Sequence, residues 1–310
     1  MLNLCVNDVL EAQPLIVRHI SKKTGQNNKE YYHLQLSHGV QNLDGKIWSG
    51  DPAVAQEITP GCIANIWANV RDFKGTLQLH ISRIEKIDQP SQELLDEITP
   101  ACEFDTTVLE QQINDIIASV KTPELNMLLN TIFSSPEISS SFYKKAAGAE
   151  IHHAYLGGLA HHTIEVANTV NHFCTMYDSM DRDIAVTAAL LHDIGKTVEL
   201  SNFPENKYTD RGRLLGHIAI GVEILNEAVA KIEGFPVKYT LALQHCILSH
   251  HGTQEMGSPV VPMTMEAIAL HNADRASADL NGFFLAIQRD TSANCWTDYN
   301  NTYKRFIKKF

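Results

Sequence analysis

The chain has 310 residues, 44% of them apolar, and a formal net charge of −11, which sets it among packed globular proteins of about two domains and argues against disorder. Residues 1–90 hold nine basic and nine acidic residues, so the whole negative excess lies beyond them. A general polyanion binder would be basic there, unless bound divalent cations offset the charge where a phosphate sits.

From about Pro14 to Asp88 the sequence reads as five short strands: PLIVRHI, YYHLQL, KIW, CIANIWANV and TLQLHISRIEKI. Turns are expected at TGQNNKE, around Asp44-Gly45 and between Asp72 and Gly75, and DPAVAQEI between the third and fourth strands can form one short helix. This order fits an oligonucleotide-binding (OB) barrel or an SH3-like barrel, which spacing alone does not separate. Residues 91–105 break both patterns and read as a linker. Beyond it the periodicity is helical to residue 310: Thr122-Pro123-Glu124 and Ser135-Pro136-Glu137 are N-terminal start signals, and further helices are expected at roughly 158–177, 181–194, 214–233, 236–250 and 264–287. The fold class is therefore multi-domain, an all-β barrel over 1–90 followed by an all-α bundle over 106–310.

Eleven of the fifteen histidines lie between Ile151 and Asp274. His162 falls beside the stripe Leu159, Thr163, Val166 and Val170; His217 precedes the stripe Gly221, Ile224 and Leu225 by one turn; His250 ends the stripe Leu243, Cys246 and Ile247, with His251 next to it. Asp274 sits one turn after Leu270, and His192-Asp193 follows the apolar ALL in ALLHDIGK. One histidine on an apolar face is more often a core residue bonded to a carbonyl. Several on helices that must pack together point to a metal site built inside a bundle. Imidazole and carboxylate without thiolate suit Mn, Fe, Co, Ni or Zn, and Asp193 can bridge two ions. The six cysteines form no CxxC pair and read as reduced, packed thiols. Since no basic leader precedes an apolar core and no run nears ~18 apolar residues, the protein is expected to be cytoplasmic, with no membrane partner.

His162, His192-Asp193 and Asp274 resemble the H…HD…D signature of the HD-domain metal-dependent phosphohydrolases, and His217 with His250-His251 matches the additional ligands of their binuclear members. HHAYLGGL, HDIGK, YTDRGRLLGHI, SHHG and GSPVVPMTMEAIALH, joined to the OB-type barrel, are similar to the YhaM family of 3′-to-5′ exoribonucleases. The resemblance implies one divalent ion held by His162, His192, Asp193 and Asp274, and a second by Asp193, His217, His250 and His251, with Mn, Fe or Co favoured and Zn, Ni or Mg admitted. It further implies hydrolysis of single-stranded RNA, or of DNA, to nucleoside monophosphates through a two-metal activated hydroxide, and leaves room for a homo-oligomer. A small cyclic or linear nucleotide is the alternative substrate, with the barrel regulatory. Asp193 and Lys196 are the candidate catalytic residues, Lys196 reaching a phosphate oxygen; His153, Arg213 and Tyr31 are candidate substrate contacts, Tyr31 as a stacking platform on the barrel's outer face. The basic, aromatic end YKRFIKKF reads by default as a solvated last helical turn, with contact to substrate or a neighbouring subunit as the alternative.

Overall fold

A computed structural model describes residues 2–25, 28–48, 57–73, 76–149, 152–290 and 294–310. The chain divides into two compact units, residues 1–101 with 203–206, and residues 102–202 with 207–310. Among the described residues no helix is long and apolar enough to cross a membrane.

The first unit is a closed five-stranded barrel in the order β1-β2-β3-β5-β4, formed by β1 (Val9–Thr24), β2 (Glu30–His38), β3 (Gln41–Ile47), β4 (Ile63–Phe73) and β5 (Thr76–Lys86). That closure, with β3 and β5 parallel and every other pairing antiparallel, is the OB-type topology. Alternation fills the interior: Leu15, Val17, Leu34, Leu36, Ile66, Val70 and Leu79 are buried. The long β1 serves two neighbours, pairing β4 with its first half and β2 with its second, and its register shifts between Leu10 and Gln13 and between Val17 and His19 are bulges that bend it round the corner.

The turn expected at Asp44-Gly45 is not there. Both residues lie inside β3, and the β2–β3 connection is made at Gly39-Val40. A Cβ on Gly45 would stand 2.7 Å from Ile81 Cδ1, the far end of a flexible side chain, so the close packing of this strand interior favours glycine without a backbone requirement for it. The short helix expected in DPAVAQEI falls largely on residues 51–56, and the turn before Gly75 on residues 74–75; both lie outside the described residues. The stretch 91–105 is more than a connection, because Gln92–Ile98 forms helix α1, with Ser91 Oγ accepting from Leu94 N–H, and buries Ile98 against Ile16 and Ile63.

The second unit is helical: α2 (Thr106–Ser119), α3 (Pro123–Phe133), α4 (Pro136–Ser139), α5 (Gly158–Met176), α6 (Arg182–Leu191), α7 (Lys196–Glu199), α8 (Asp210–Val229), α9 (Val237–Ser249) and α10 (Met265–Arg289). The proline start signals hold, but Thr122 does not cap α3 in the usual way; its hydroxyl and N–H both donate to Asp183 Oδ2 at the start of α6. Helix α8 begins four residues before the expected start and contains a break at Gly216 (φ 72°). The C-terminal YKRFIKKF is not helical: bridges pair Trp296 with Lys308 and Asn300 with Arg305, and Ile307 is buried.

The core of this unit runs from α2 to α10 and includes Phe142, fully buried and edge-on to Phe133 and Tyr143. Phe142→Ala is expected to lower the stability of the helical unit by ~3–5 kcal/mol, seen as a lower denaturation midpoint at unchanged slope; a loss under ~1 kcal/mol would contradict this packing.

Candidate metal centre

Five helix segments deliver the ligand-type side chains. His162 lies on the buried face of α5, whose N-terminal half also buries Leu159, Thr163 and Val166. His192 ends α6, and Asp193 follows in the tight turn that leads into α7. His217 directly follows the break in α8, His250 and His251 follow the last turn of α9, and Asp274 lies on α10. The glycine of HDIGK makes this convergence feasible. A Cβ on Gly195 would lie 2.0 Å from the His217 carbonyl oxygen, so only glycine lets α8 approach closely enough to bring His217 to Asp193.

The ligand atoms form two groups around one carboxylate. On one side His162 Nε2 and His192 Nε2 are 3.2 Å apart, and 3.5 and 3.4 Å from Asp193 Oδ2. Asp274 Oδ1 is 3.1 Å from His162 Nε2 and 3.8 Å from His192 Nε2. On the other side His217 Nε2 and His250 Nε2 are 3.5 and 3.6 Å from Asp193 Oδ1, and the ligand atoms of His217, His250 and His251 lie within 4.8 Å of one another.

Each imidazole has its other nitrogen engaged. His192 Nδ1–H donates to the Ala189 carbonyl (2.8 Å), His250 Nδ1–H to that of Ile247 (2.7 Å), and His251 Nδ1–H to that of Met256 (3.0 Å). His217 Nδ1–H donates to Glu199 Oε1 (3.0 Å), which also accepts the His217 backbone N–H. His162 Nδ1 is 2.9 Å from Ser277 Oγ. In the four imidazoles whose Nδ1 faces a carbonyl or carboxylate the proton sits on Nδ1, so the Nε2 atoms of His192, His217 and His250 present lone pairs toward Asp193. Lone pairs facing lone pairs and carboxylate oxygens repel, and a cation between them reverses the sign of every contact. The buried atoms Asp193 Oδ1, His217 Nε2 and His250 Nε2 accordingly have no hydrogen-bond partner. The donor set thus fits divalent ions.

The electrostatics agree. Burial and Lys196 push His152 down to about 3, and burial pushes His162 down to about 4, so both imidazoles are neutral at pH 7. His250 is also held well below the usual range, by burial and then by His192. Burial opposes the charge on Asp193, but Lys196 and His192 outweigh it and keep the carboxyl well below its ordinary range. Burial likewise opposes a charge on His192, yet Asp193 raises its pKa. Lys196 is buried with its Nζ 2.6 Å from Asp193 Oδ2.

Of the candidate substrate contacts, His153 adjoins the cluster, Arg213 stands apart from it, and Tyr31 belongs to the barrel. His153 is fully buried, its Nε2 3.2 Å from Glu165 Oε2 and its ring 5.1 Å from that of His162; the ring of its half-buried neighbour His152 lies 5.8 Å from that of His162. Arg213 is exposed on the first turn of α8, and no described contact joins it to the cluster. Tyr31 is on the barrel, in a groove shared with Lys23, His33, Lys46 and Phe73. Its ring is 5.1 Å from that of half-exposed Trp48, and Lys46 Nζ lies 5.6, 5.4 and 4.7 Å from the Tyr31, Trp48 and Phe73 ring centroids. Sequence reasoning missed Glu199 and Glu165, the carboxylates behind the histidines. Glu199 had a signal in its position six residues after Asp193 in a segment too apolar for a solvated acid, and Glu165 in its helical spacing from both His161 and His162.

Comparison with known proteins places an HD domain over residues 159–279. The chain is 29% identical over 277 residues to the 3′-5′ exoribonuclease YhaM of Bacillus subtilis (strain 168), covering 89% of this chain and 87% of that protein. It is 27% identical over 275 residues to the 3′-5′ exoribonuclease YhaM of Geobacillus sp. (strain WCH70), covering 89% and 84%. Among solved structures, the second OB-fold domain of replication protein A from Methanococcus maripaludis aligns with 26% of this chain and 84% of its own at 15% identity, TM-score 0.20.

Because Lys196 supplies the ammonium nearest Asp193, Lys196→Met is expected to destabilise the metal-free protein by about 3–5 kcal/mol through the unpaired buried carboxylate. Added Mn²⁺ should then raise the melting temperature of the variant by more than that of the wild type. Equal Mn²⁺ shifts in thermal denaturation would contradict the pairing.

Proposed function

We propose that this chain, similar over 89% of its length to the YhaM exoribonucleases, is a metal-dependent 3′-to-5′ exoribonuclease that releases nucleoside monophosphates from single-stranded RNA. The observation that carries the reading is the divergence of the two Asp193 oxygens, Oδ2 toward His162 and His192 and Oδ1 toward His217 and His250. It supports two cation positions sharing one carboxylate, the first with His162, His192, Asp193 and Asp274 as ligands, the second with Asp193, His217, His250 and His251. The absence of thiolate from this set favours Mn, Fe or Co, with Zn, Ni or Mg admitted. Divalent ions bound there supply Lewis acidity and positive charge for attack of water on a phosphodiester.

The protein's own groups do the rest. Asp193 holds the two histidine sets in register. Lys196, kept charged by Asp193, is the ammonium nearest the space where a nonbridging phosphate oxygen would sit and contributes charge to the pentacoordinate arrangement. His152, neutral and half-buried, offers a polar edge for the nucleotide next to the scissile bond. On the barrel, Tyr31, Trp48 and Phe73 around Lys46 provide stacking surfaces for bases with a positive charge among them, the combination that grips single strands with little sequence preference. The acidic balance beyond residue 90 favours a second reading, hydrolysis of small cyclic or linear nucleotides with the barrel as a regulatory module.

With Mn²⁺ and a 5′-labelled single-stranded RNA, the protein is expected to give a ladder shortening from the 3′ end. Intact RNA together with turnover of mononucleotides would establish the second reading instead. Asp193→Asn is expected to abolish hydrolysis while leaving RNA affinity largely unchanged. Tyr31→Ala should weaken RNA binding by 1–3 kcal/mol, ~5- to 150-fold in Kd at fixed salt, measured by fluorescence anisotropy; an unchanged Kd would rule Tyr31 out as a platform.

A further inference from the structure

Behind His162 lies a second group of ligand-type side chains, His153, His161 and Glu165, with atoms within 4.8 Å of one another. Following each proton shows what this group does. Asn281 Nδ2 donates to Tyr155 Oη (3.3 Å), and His161 Nδ1 faces two potential donors, the Tyr155 hydroxyl at 2.9 Å and Cys102 Sγ at 3.4 Å. The tautomer that satisfies Glu165 puts the His161 proton on Nε2, 3.4 Å from Glu165 Oε1, which leaves no lone pair on that side for an ion. His153 Nε2 is 3.2 Å from Glu165 Oε2, and the Ser277 hydroxyl donates to the same oxygen at 2.6 Å. Ser277 has one proton and has given it to Glu165. Its oxygen can then only accept from His162, across the 2.9 Å to Nδ1.

We infer that Glu165 is a positioning residue: through Ser277 it holds the His162 proton on Nδ1, so that the Nε2 lone pair faces Asp193 and Asp274 and is free for a cation. The inference rests on the ligand assignment proposed above. It also explains why three donors converge on one carboxylate from α5, α10 and the segment before α5. An amide at this position would present one acceptor oxygen and an NH₂ group to Ser277, His153 and His161, so at least one donor would face another. Ser277 would then turn its proton toward His162 Nδ1, moving the imidazole proton to Nε2 and blocking the metal face. Orienting partners of this kind typically change metal affinity by 10- to 100-fold when removed.

The test compares the full-length wild type, Glu165→Gln and Ser277→Ala by titration with Mn²⁺, reading free ion by electron paramagnetic resonance. Two ions are expected to bind the wild type, and each variant is expected to weaken one of them ~10- to 100-fold and leave the other unchanged. Ser277→Ala removes only a hydroxyl and guards against a folding defect in Glu165→Gln. In the metal-free wild type, ¹⁵N shifts of His162 should show Nδ1 protonated and Nε2 bare, a signature independent of any variant. Wild-type affinity at both sites in both variants, or a His162 proton on Nε2, would overturn the inference. A third ion in the wild type that disappears in Glu165→Gln would overturn it too, since the cluster would then be a binding site itself. If the wild type binds no Mn²⁺, the ligand assignment fails, and this inference with it.

Discussion

The second unit is organised around one carboxylate with almost no access to water. Asp193 is about 1% exposed, and a charge so placed is costly unless cations or donors surround it. Here Lys196 takes one oxygen and imidazoles face both. Much of the local architecture follows from this requirement: the turn that ends α6 on His192, the glycine that lets α8 approach, and the break in α8 that sets His217 immediately after its irregular residue.

Metal-binding capacity and fold stability are coupled through that site. The helices that contribute ligands are also those that share the main apolar core, with Leu159, Leu190, Leu191, Leu225, Leu243 and Leu270 buried beneath them. Convergence of the ligand atoms is therefore fixed by packing, which is dense and resists small displacements, and is not left to flexible loops. The barrel works on another principle. Its interior is filled by alternating apolar residues, and alternation leaves Tyr31 on the outer side while its neighbour Tyr32 is almost fully buried.

The histidines and aspartates that converge in the second unit were legible in the sequence because imidazole or carboxylate next to an apolar stripe contradicts the surrounding pattern, and the contradiction repeats on several helices. The barrel was legible from period-two alternation. The errors have the opposite origin. Asp44-Gly45 carries the residues of a hairpin turn, but pairing with Leu34 on one side and Leu79 on the other sets Gly45 in a strand interior, and no local rule contains those partners. His153 and Arg213 both neighbour the cluster in sequence, yet the first is a fully buried ring against His162 and the second an exposed first-turn side chain, a difference set by packing that spacing does not encode. Glu165 and Glu199 resemble ordinary helical acids until the histidines they serve are brought against them.

The anchoring of the five imidazoles has a bearing on how such a centre can evolve. His192, His250 and His251 rest on main-chain carbonyls, which every residue possesses, so point substitution at the anchor leaves those three orientations untouched. His162 and His217 rest on side chains, Ser277 and Glu199, one in each half of the centre. Adaptation to a different ion or a different working acidity thus has two adjustable screws, one per half, each reachable by a single codon change while the remaining geometry stays bolted to the backbone.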